Sequence, residues 1–382
     1  MRIAHTSDWH IGKKLMGRDR SEEFRNVLSE IGEICIAEGV DFLLVAGDVF
    51  DTYTPPAEAE EIFYSAVKNI AASCAVLIIS GNHDDYVRLT AAQAISEELN
   101  IYTVGNNLKA IPCAKRGRCY PVLSEGGYAV FENTSGEKVY INTLPYPNEA
   151  RFKEGKNDES FADKMTRWIE YGERGKTQKM PSVFLSHIFA AGGTAGDSER
   201  EIDLGGARAV GLNLFPECDY CALGHLHKRQ KLGENIYYSG AIMRFTFDEA
   251  GQEKSINIFD LNADGVKNLR QIPLKSAANL VRLQANSAQD GLALLARHAD
   301  AIAELTLNLK EPLSPSEMSA LRECHNLYSL KMAVETELYG GVAAENEGKS
   351  SSQLFSEYYK SRYSSDVPEE LLALFLSLTE EE

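Results

Sequence analysis

No apolar run in the 382-residue chain approaches the length of a bilayer span, and its first residues, Met1 to Asp8, leave no room for a charged segment, an apolar segment and a cleavage site. Those absences argue against a membrane protein and a secreted one, and make the cytoplasm the expected compartment. Cysteine is sparse and odd in number, seven in all, which fits reduced thiols better than a disulfide framework. Cys218 and Cys221 form a C-x-x-C without a second such pair, so they are read as structural residues of a buried strand rather than as half a zinc site. Positive charge is also short: 39 Lys and Arg against 56 Asp and Glu leave a net charge of −17. A polyanion ligand is disfavoured by that balance but not excluded, because a site holding divalent cations is locally positive whatever the remaining surface carries.

What is present is 44% hydrophobic and 25% charged, an ordinary globular composition, in a chain long enough for one large domain and smaller additions. Short apolar strands alternate with amphipathic helices over the first part, predicting a layered α/β domain. Arg2 to Ser7 is the first strand and Asp8 follows it. A helix from Ser21 carries Phe24, Val27, Leu28 and Ile31 on one face and stops at Gly39. Asp41 to Ala46 is a strand running into Gly47 and Asp48. Pro55 and Pro56 open a second helix, and the strand Ala75 to Ser80 runs into Gly81, Asn82 and His83. Tyr128 to Leu144 reads as a hairpin about Ser135 and Gly136, followed by a short helix around Trp168. The strand Ser182 to Leu185 ends at His187, and Tyr220 to Leu223 ends at Gly224-His225-Leu226-His227.

Five strand ends thus carry metal-ligand residue types, at the edge where open α/β sheets place their sites. Asp8 and His10, two residues apart, can face one ion; Asp48, a carboxylate after a glycine, is the natural bridge between two. Asn82 offers a carbonyl oxygen, and His187, His225 and His227 offer imidazoles. This mixture of nitrogen and oxygen donors suits manganese, iron(II) or zinc better than magnesium alone. His83 can donate a proton to a leaving oxygen with Asp84 holding its tautomer, or Asp84 caps the helix that follows. His5 is read as a packed core residue and Asp51 as support behind the ligands.

Past residue 275 the pattern becomes strand, helix, strand, helix, strand near 279–285, 288–298, 302–309, 314–323 and 327–334. The expected division is 1–274, a small α/β capping domain at 275–339, a Gly/Ser/Glu-rich linker at 340–353 and a helix pair at 354–382. Leu354, Phe355, Tyr358 and Tyr359 lie on the first of these helices and Leu371, Leu374, Phe375 and Leu378 on the second. Such apolar stripes after a linker favour docking on a partner.

The order Asp8-x-His10, Gly47-Asp48-x-x-Asp51, Gly81-Asn82-His83-Asp84, His187 and Gly224-His225-x-His227 resembles the calcineurin-like metallophosphoesterases. Thr6-Ser7-Asp8-Trp9-His10-Ile11-Gly12, Asp197-Ser198-Glu199-Arg200 and Tyr238-Ser239-Gly240 followed by Phe245-Thr246-Phe247 resemble that superfamily's branch of SbcD-type nuclease subunits. This resemblance implies a β-sandwich flanked by helices, with a capping domain and a terminal helix pair. It implies two manganese ions, one held by Asp8, His10, Asp48 and His227 and the other by Asp48, Asn82, His187 and His225. His83 matches the position that assists the transition state; Asp51 stands where distant relatives carry a histidine. The branch further implies 3′ to 5′ exonuclease action on duplex ends, endonuclease action on single strands or hairpins, a homodimer, and an SbcC-type ATPase bound by the terminal helices, in DNA repair, recombination and replication. Lys13, Lys14, Arg18, Arg20, Lys228 and Arg229, with Lys231, are candidate contacts to the DNA backbone. A small-molecule or nucleotide phosphodiesterase on the same fold, and a DNA-end tether without catalysis, are the competing readings.

Overall fold

The computed structural model describes residues 1–152, 158–177, 179–196, 209–334, 351–363, 365–369, 371–372 and 375–376. The chain divides into two compact units, residues 1–307 with 315–331, and residues 308–314 with 332–382. Residues 275–307 and 315–331 therefore fall in the same unit as the residues before them, while most of the expected linker and the Asp197–Arg200 motif lie outside the described residues.

Apolar segments buried on both faces build the first sheet. Strands β1 (Arg2–Thr6), β2 (Phe42–Ala46), β3 (Ala75–Ile79) and β4 (Ile101–Val104) pair in parallel. Helices α1 (Ser21–Glu38) and α2 (Ala57–Ala71) make the connections from β1 to β2 and from β2 to β3, as parallel pairing requires. Gly39 ends α1 in the left-handed conformation at φ 63°, and Pro56 opens α2. Two single turns, α3 (Tyr86–Leu89) and α4 (Gln93–Ser96), lie between β3 and β4.

The second sheet is built from β5 (Cys119–Glu125), β6 (Tyr128–Asn133), β7 (Lys138–Leu144), β8 (Ser182–His187), β9 (Tyr220–Gly224), β10 (Gln230–Leu232) and β11 (Ile236–Tyr238), with α5 (Phe161–Glu173) between β7 and β8. Its order is β10-β11-β9-β8-β7-β6-β5, and β7, β8 and β9 run parallel. The hairpin β12 (Ser255–Asn262) and β13 (Gly265–Pro273) completes the first sheet, whose order is β13-β12-β1-β2-β3-β4. One core joins the two sheets face to face: Phe42, Leu44, Leu77 and Phe259 from the first meet Phe131, Ile141, Leu185 and Tyr220 from the second. A second core lies under α1 and α2, and a third joins Met165, Trp168 and Ile169 of α5 to Phe184 and Leu223. The first unit is thus a β-sandwich covered by helices on both outer faces.

After the sandwich, β14 (Asn279–Ala285), α6 (Ala288–Arg297), β15 (Ala301–Leu309), α7 (Pro315–Arg322) and β16 (Leu327–Val334) follow the predicted alternation within a residue or two. Their three-stranded sheet has the order β14-β15-β16. Arg18 ties this segment to the loop after β1, donating to the His325 and Leu327 carbonyls at 3.3 and 2.9 Å and lying 4.1 Å from the Tyr328 ring centre. In the second unit, α8 (Ser351–Tyr363) brings Phe355 flat against Phe375, with ring centres 4.1 Å apart.

Candidate metal centre

Parallel pairing puts the carboxyl ends of β1, β2 and β3 on one edge of the first sheet and those of β8 and β9 on one edge of the second. The chain leaves those ends in unusual conformations. Of the seven described non-glycine residues with positive φ, four are expected ligands: Asp8 (51°), His10 (46°), Asp48 (51°) and His225 (106°). Such backbone costs about 1–3 kcal/mol per residue and persists only where the surroundings over-determine it. Here main-chain bonds do so, from Asp8 N to the Gly47 carbonyl at 3.0 Å and from His10 N to the Asp48 carbonyl at 2.9 Å. Glycine supplies the clearance: a Cβ on Gly81 would overlap the Asp48 carboxylate and amide.

All seven expected ligands converge. His10 Nε2 lies 3.1 Å from His227 Nε2, and ligand atoms of Asp8, His10 and His227 lie within 4.8 Å of one another. Asp48 Oδ2 is 3.6 Å from His10 Nε2 and 3.3 Å from His187 Nε2, between the two groups. Asn82 Oδ1 lies 2.9 Å from His187 Nε2 and 3.1 Å from His225 Nδ1. Asp8 also accepts from His225 N at 2.9 Å, linking the first and last motifs.

The donor set fits divalent cations. Asp8 and Asp48 are 0% and 2% exposed, and carboxylates so deeply buried require compensating positive charge. Among the described residues His10 Nδ1 has no hydrogen-bond partner, while its Nε2 faces the Nε2 of His227. Two lone pairs held at that distance repel unless a proton or a cation lies between them. Local charge acts in the same sense. Burial pushes the His10 imidazole down to about 4, against the pull of Asp51 and Asp48. Burial would lower His187 too, but the facing Asp48 carboxylate outweighs it and lifts the imidazole to about 9. Asp48 is held well below the usual carboxylate range, its burial overcome by His187, His10 and His83.

His83 and Asp84 divide their work differently from the sequence expectation. The Asp84 carboxylate accepts from the backbone amides of Gly81 (2.8 Å), Phe50 (3.0 Å) and Val49 (3.2 Å), so it clamps two ligand loops and does not orient His83. Nor does it cap α3; Asp85 does, accepting from Val87 N and Arg88 N. Burial and the nearby Asp48 raise the Asp84 carboxyl to about 6, against those amide bonds. His83 instead meets the Asp51 carbonyl through Nδ1 at 2.7 Å, and its backbone amide donates to Asp48 Oδ1 at 2.9 Å.

Several contributors escaped sequence reasoning. Arg151, 5% exposed, donates to the Gly81 and Asp84 carbonyls at 2.8 and 2.9 Å. Glu249 lies 3.5 Å from His227 Nδ1, and the Phe245 ring packs edge-on against both His10 and His227. The basic candidates separate. Arg20 is buried, bonded to both Glu23 oxygens and to the Arg244 carbonyl, which contradicts its assignment to DNA. Lys13 pairs with Asp51 at 2.9 Å, Arg18 is engaged as above, and Arg229 bonds Glu253 and Ser255. Lys14, Lys228 and Lys231 remain exposed.

Residues 1–229 match the family described as calcineurin-like phosphoesterase. Among curated proteins, the chain is 33% identical to SbcD, the D component of nuclease SbcCD, of Bacillus subtilis over 99% of its own length and 97% of the relative's. The proteins of the same name from Rhodobacter capsulatus and Staphylococcus epidermidis are 33% and 28% identical, over 75% and 73% of this chain and 72% and 71% of theirs.

Proposed function

Because the chain belongs to the calcineurin-like phosphoesterases, and within them to the SbcD family of nuclease subunits, we propose that it is the DNA-cleaving subunit of an SbcCD-type complex. It is a metal-dependent phosphodiesterase. The observation that carries this reading is the convergence of two carboxylates, one amide oxygen and four imidazoles from five separate strand ends. Asp8, His10, Asp48 and His227 would hold one divalent ion, and Asp48, Asn82, His187 and His225 the other; manganese is the ion proposed. Two such ions supply Lewis-acid neutralisation of the phosphoryl oxygens and a water acidic enough to attack phosphorus at neutral pH.

The protein's own groups do the rest. The Asp51 carbonyl fixes the His83 proton on Nδ1 and leaves Nε2 to deliver a second proton to the leaving oxygen. The Asp84 carboxylate on Gly81 N, and Arg151 on the Gly81 and Asp84 carbonyls, hold both ends of the Asn82–His83 loop and so fix the proton donor and the amide ligand in place. Lys14, Lys228 and Lys231 are placed in sequence beside the first and last motifs, and as exposed ammonium groups they suit phosphate contacts. For the partner, we assign an SbcC-type ATPase to the terminal helices: Leu354 and Leu371 are each 37% exposed, and apolar surface of that kind suits a protein contact. Homodimerisation and a cytoplasmic location complete the proposal; among the described residues no helix is long and apolar enough to cross a membrane. We keep the capping role of residues 275–339 as part of the same proposal.

The test is Mn²⁺-dependent cleavage of end-labelled duplex DNA beside bis-p-nitrophenyl phosphate, comparing wild type with Asp48→Ala and His83→Ala. Wild type should degrade both, Asp48→Ala neither, and His83→Ala should lose about 10²–10⁴-fold. Hydrolysis of the small diester with intact DNA, even when the ATPase partner and ATP are supplied, would replace the nuclease with a small-molecule phosphodiesterase. Truncation at Gly340 should abolish capture by the ATPase partner; full binding would remove the helices from the interface.

A further inference from the structure

The stretch Tyr238-Ser239-Gly240 supplies no ligand to the centre, yet each of its residues touches a segment that does. The Tyr238 hydroxyl accepts from Ala190 N at 2.8 Å and donates to the Ile188 carbonyl at 2.6 Å, fixing the chain directly after His187. Gly240, at φ 78°, lies so close to the last motif that a Cβ there would fall 2.8 Å from the His227 carbonyl oxygen and 2.7 Å from Arg229 N. Ser239 Oγ meets Ser7 Oγ at 2.8 Å, and Ser7 Oγ donates to Asp8 Oδ2 at 2.5 Å. The other Asp8 oxygen accepts from His225 N at 2.9 Å.

Proton counting gives the serine chain a direction. Ser7 has one hydroxyl proton and gives it to a carboxylate that can only accept, so its oxygen is the acceptor for Ser239. The alternative acceptor for Ser239, the Gly240 carbonyl, stands farther off at 3.5 Å. Ser239, Ser7 and Asp8 thus form a one-way relay in which each bond polarises and strengthens the next. All three side chains are buried, and alanine would fill the serine sites almost as well, so a hydroxyl has no merit there without its hydrogen bond. The relay has a task before any ion arrives. Oxygens of Asp8 and Asp48 lie within 4.8 Å of one another, and their like charges push the carboxylates apart. With one donor on each oxygen, Asp8 cannot swing away, and each oxygen keeps a lone pair for an ion.

We infer that Ser7 and Ser239 are positioning residues that hold the Asp8 carboxylate in its metal-binding orientation, with Tyr238 and Gly240 as the frame that keeps Ser239 in place. The inference rests on the metal-centre reading above. Metal-free full-length wild type, Ser7→Ala, Ser239→Ala and the double variant are titrated with MnCl₂, free Mn²⁺ being followed by its electron paramagnetic resonance signal, and thermal unfolding of each metal-free chain checks that it folds. Ser7→Ala should weaken Mn²⁺ binding about 10–100-fold. Ser239→Ala, which removes one neutral hydrogen bond farther out, should weaken it about 3–10-fold. The double variant should bind as Ser7→Ala does, because Ser239 reaches the ion only through Ser7; two independent packing defects would instead multiply their losses. Wild-type affinity in Ser7→Ala, or a multiplied loss in the double variant, would overturn the relay and leave the metal centre standing. Should Ser7→Ala not fold, Ser239→Ala decides alone, and wild-type affinity there refutes the inference. Absence of any Mn²⁺ binding by wild type would sink the metal centre and this inference together.

Discussion

Arg151→Met should damage catalysis more than folding. The guanidinium donates to the Gly81 carbonyl (2.8 Å), the Asp84 carbonyl (2.9 Å) and Ser80 Oγ (3.2 Å), and lies 5.6 and 5.4 Å from the Tyr86 and Tyr146 ring centres. Hydrogen bonds from a charged donor contribute about 1.5–3 kcal/mol each, so the two carbonyls account for about 3–6 kcal/mol. Relief of the buried charge returns part of that, leaving a net loss of about 2–4 kcal/mol. Every one of these bonds ends on the segment 80–84, which carries Asn82 and His83, and none reaches the His10/His227 group. The loss therefore falls on loop position, where a displacement of about 1 Å is enough for about a 10²-fold fall in turnover. Hydrolysis of bis-p-nitrophenyl phosphate, read with Mn²⁺ titration and thermal unfolding, separates the effects. Turnover should fall while Mn²⁺ still binds at the His10/His227 group, and Arg151→Lys should recover part of the rate by reaching one carbonyl. Wild-type turnover in Arg151→Met, or equal loss of both metal steps, would refute this account.

His5 is fully buried and burial pushes its imidazole down to about 3, so the folded chain keeps it neutral while the unfolded chain takes up a proton below about 6.5. Stability from this residue is present above pH 6.5 and drains as pH falls toward 3, at about 1.4 kcal/mol per unit; denaturant unfolding of His5→Phe should be correspondingly less acid-sensitive between pH 7 and 4.5, and parallel curves would remove His5 as the cause. Gly81→Ala drives its Cβ into Asp48 and should lose Mn²⁺-dependent hydrolysis by about 10²-fold or more, whereas retained activity would show that the loop can yield. Arg20→Met, which takes the paired guanidinium from the half-buried Glu23, should lower unfolding stability by about 1–3 kcal/mol without altering the salt dependence of DNA binding. Lys14→Ala and Lys228→Ala should each reduce that salt slope by about 1, measured by fluorescence anisotropy on duplex DNA, and an unchanged slope would clear them of phosphate contact.

The site was legible because its scaffold is parallel. Val45, Ile78 and Leu185 sit in continuous apolar runs buried on both faces, and such runs advertise both the strand and the place where it ends. The candidate ligands follow those ends directly, so their residue types and order can be read without knowing any distance. Strand β13 gave no such signal: none of its nine residues is buried and its four polar ones are all exposed, as an edge strand's are, and its pairing with β12 is a tertiary fact. Charge was legible but its direction was not. Arg20 and Lys14 stand in the same basic stretch, yet one turns inward to Glu23 and the other remains exposed. Arg151 lies 70 residues from the Gly81 carbonyl it holds, and nothing in its neighbours along the chain separates it from a solvated arginine.

Backbone strain at the ligands explains why the supporting residues matter as much as the donors. Asp8, His10, Asp48 and His225 all adopt positive φ without being glycine, and together they store several kcal/mol, about 1–3 each. Unconstrained, each would relax and turn its side chain out of the cluster. What prevents this is a set of contacts made within the motifs themselves: the Gly47 and Asp48 carbonyls that hold the first loop, the Asp84 carboxylate that spans the second and third, and the empty side-chain space at Gly81. An ion bound by these donors would offset part of that strain, so the metal-free chain should gain stability on loading by the mass-action amount, about 4 kcal/mol at a metal concentration about a thousand times the dissociation constant. A melting temperature insensitive to Mn²⁺ would mean that the folded chain does not bind the ion at these donors.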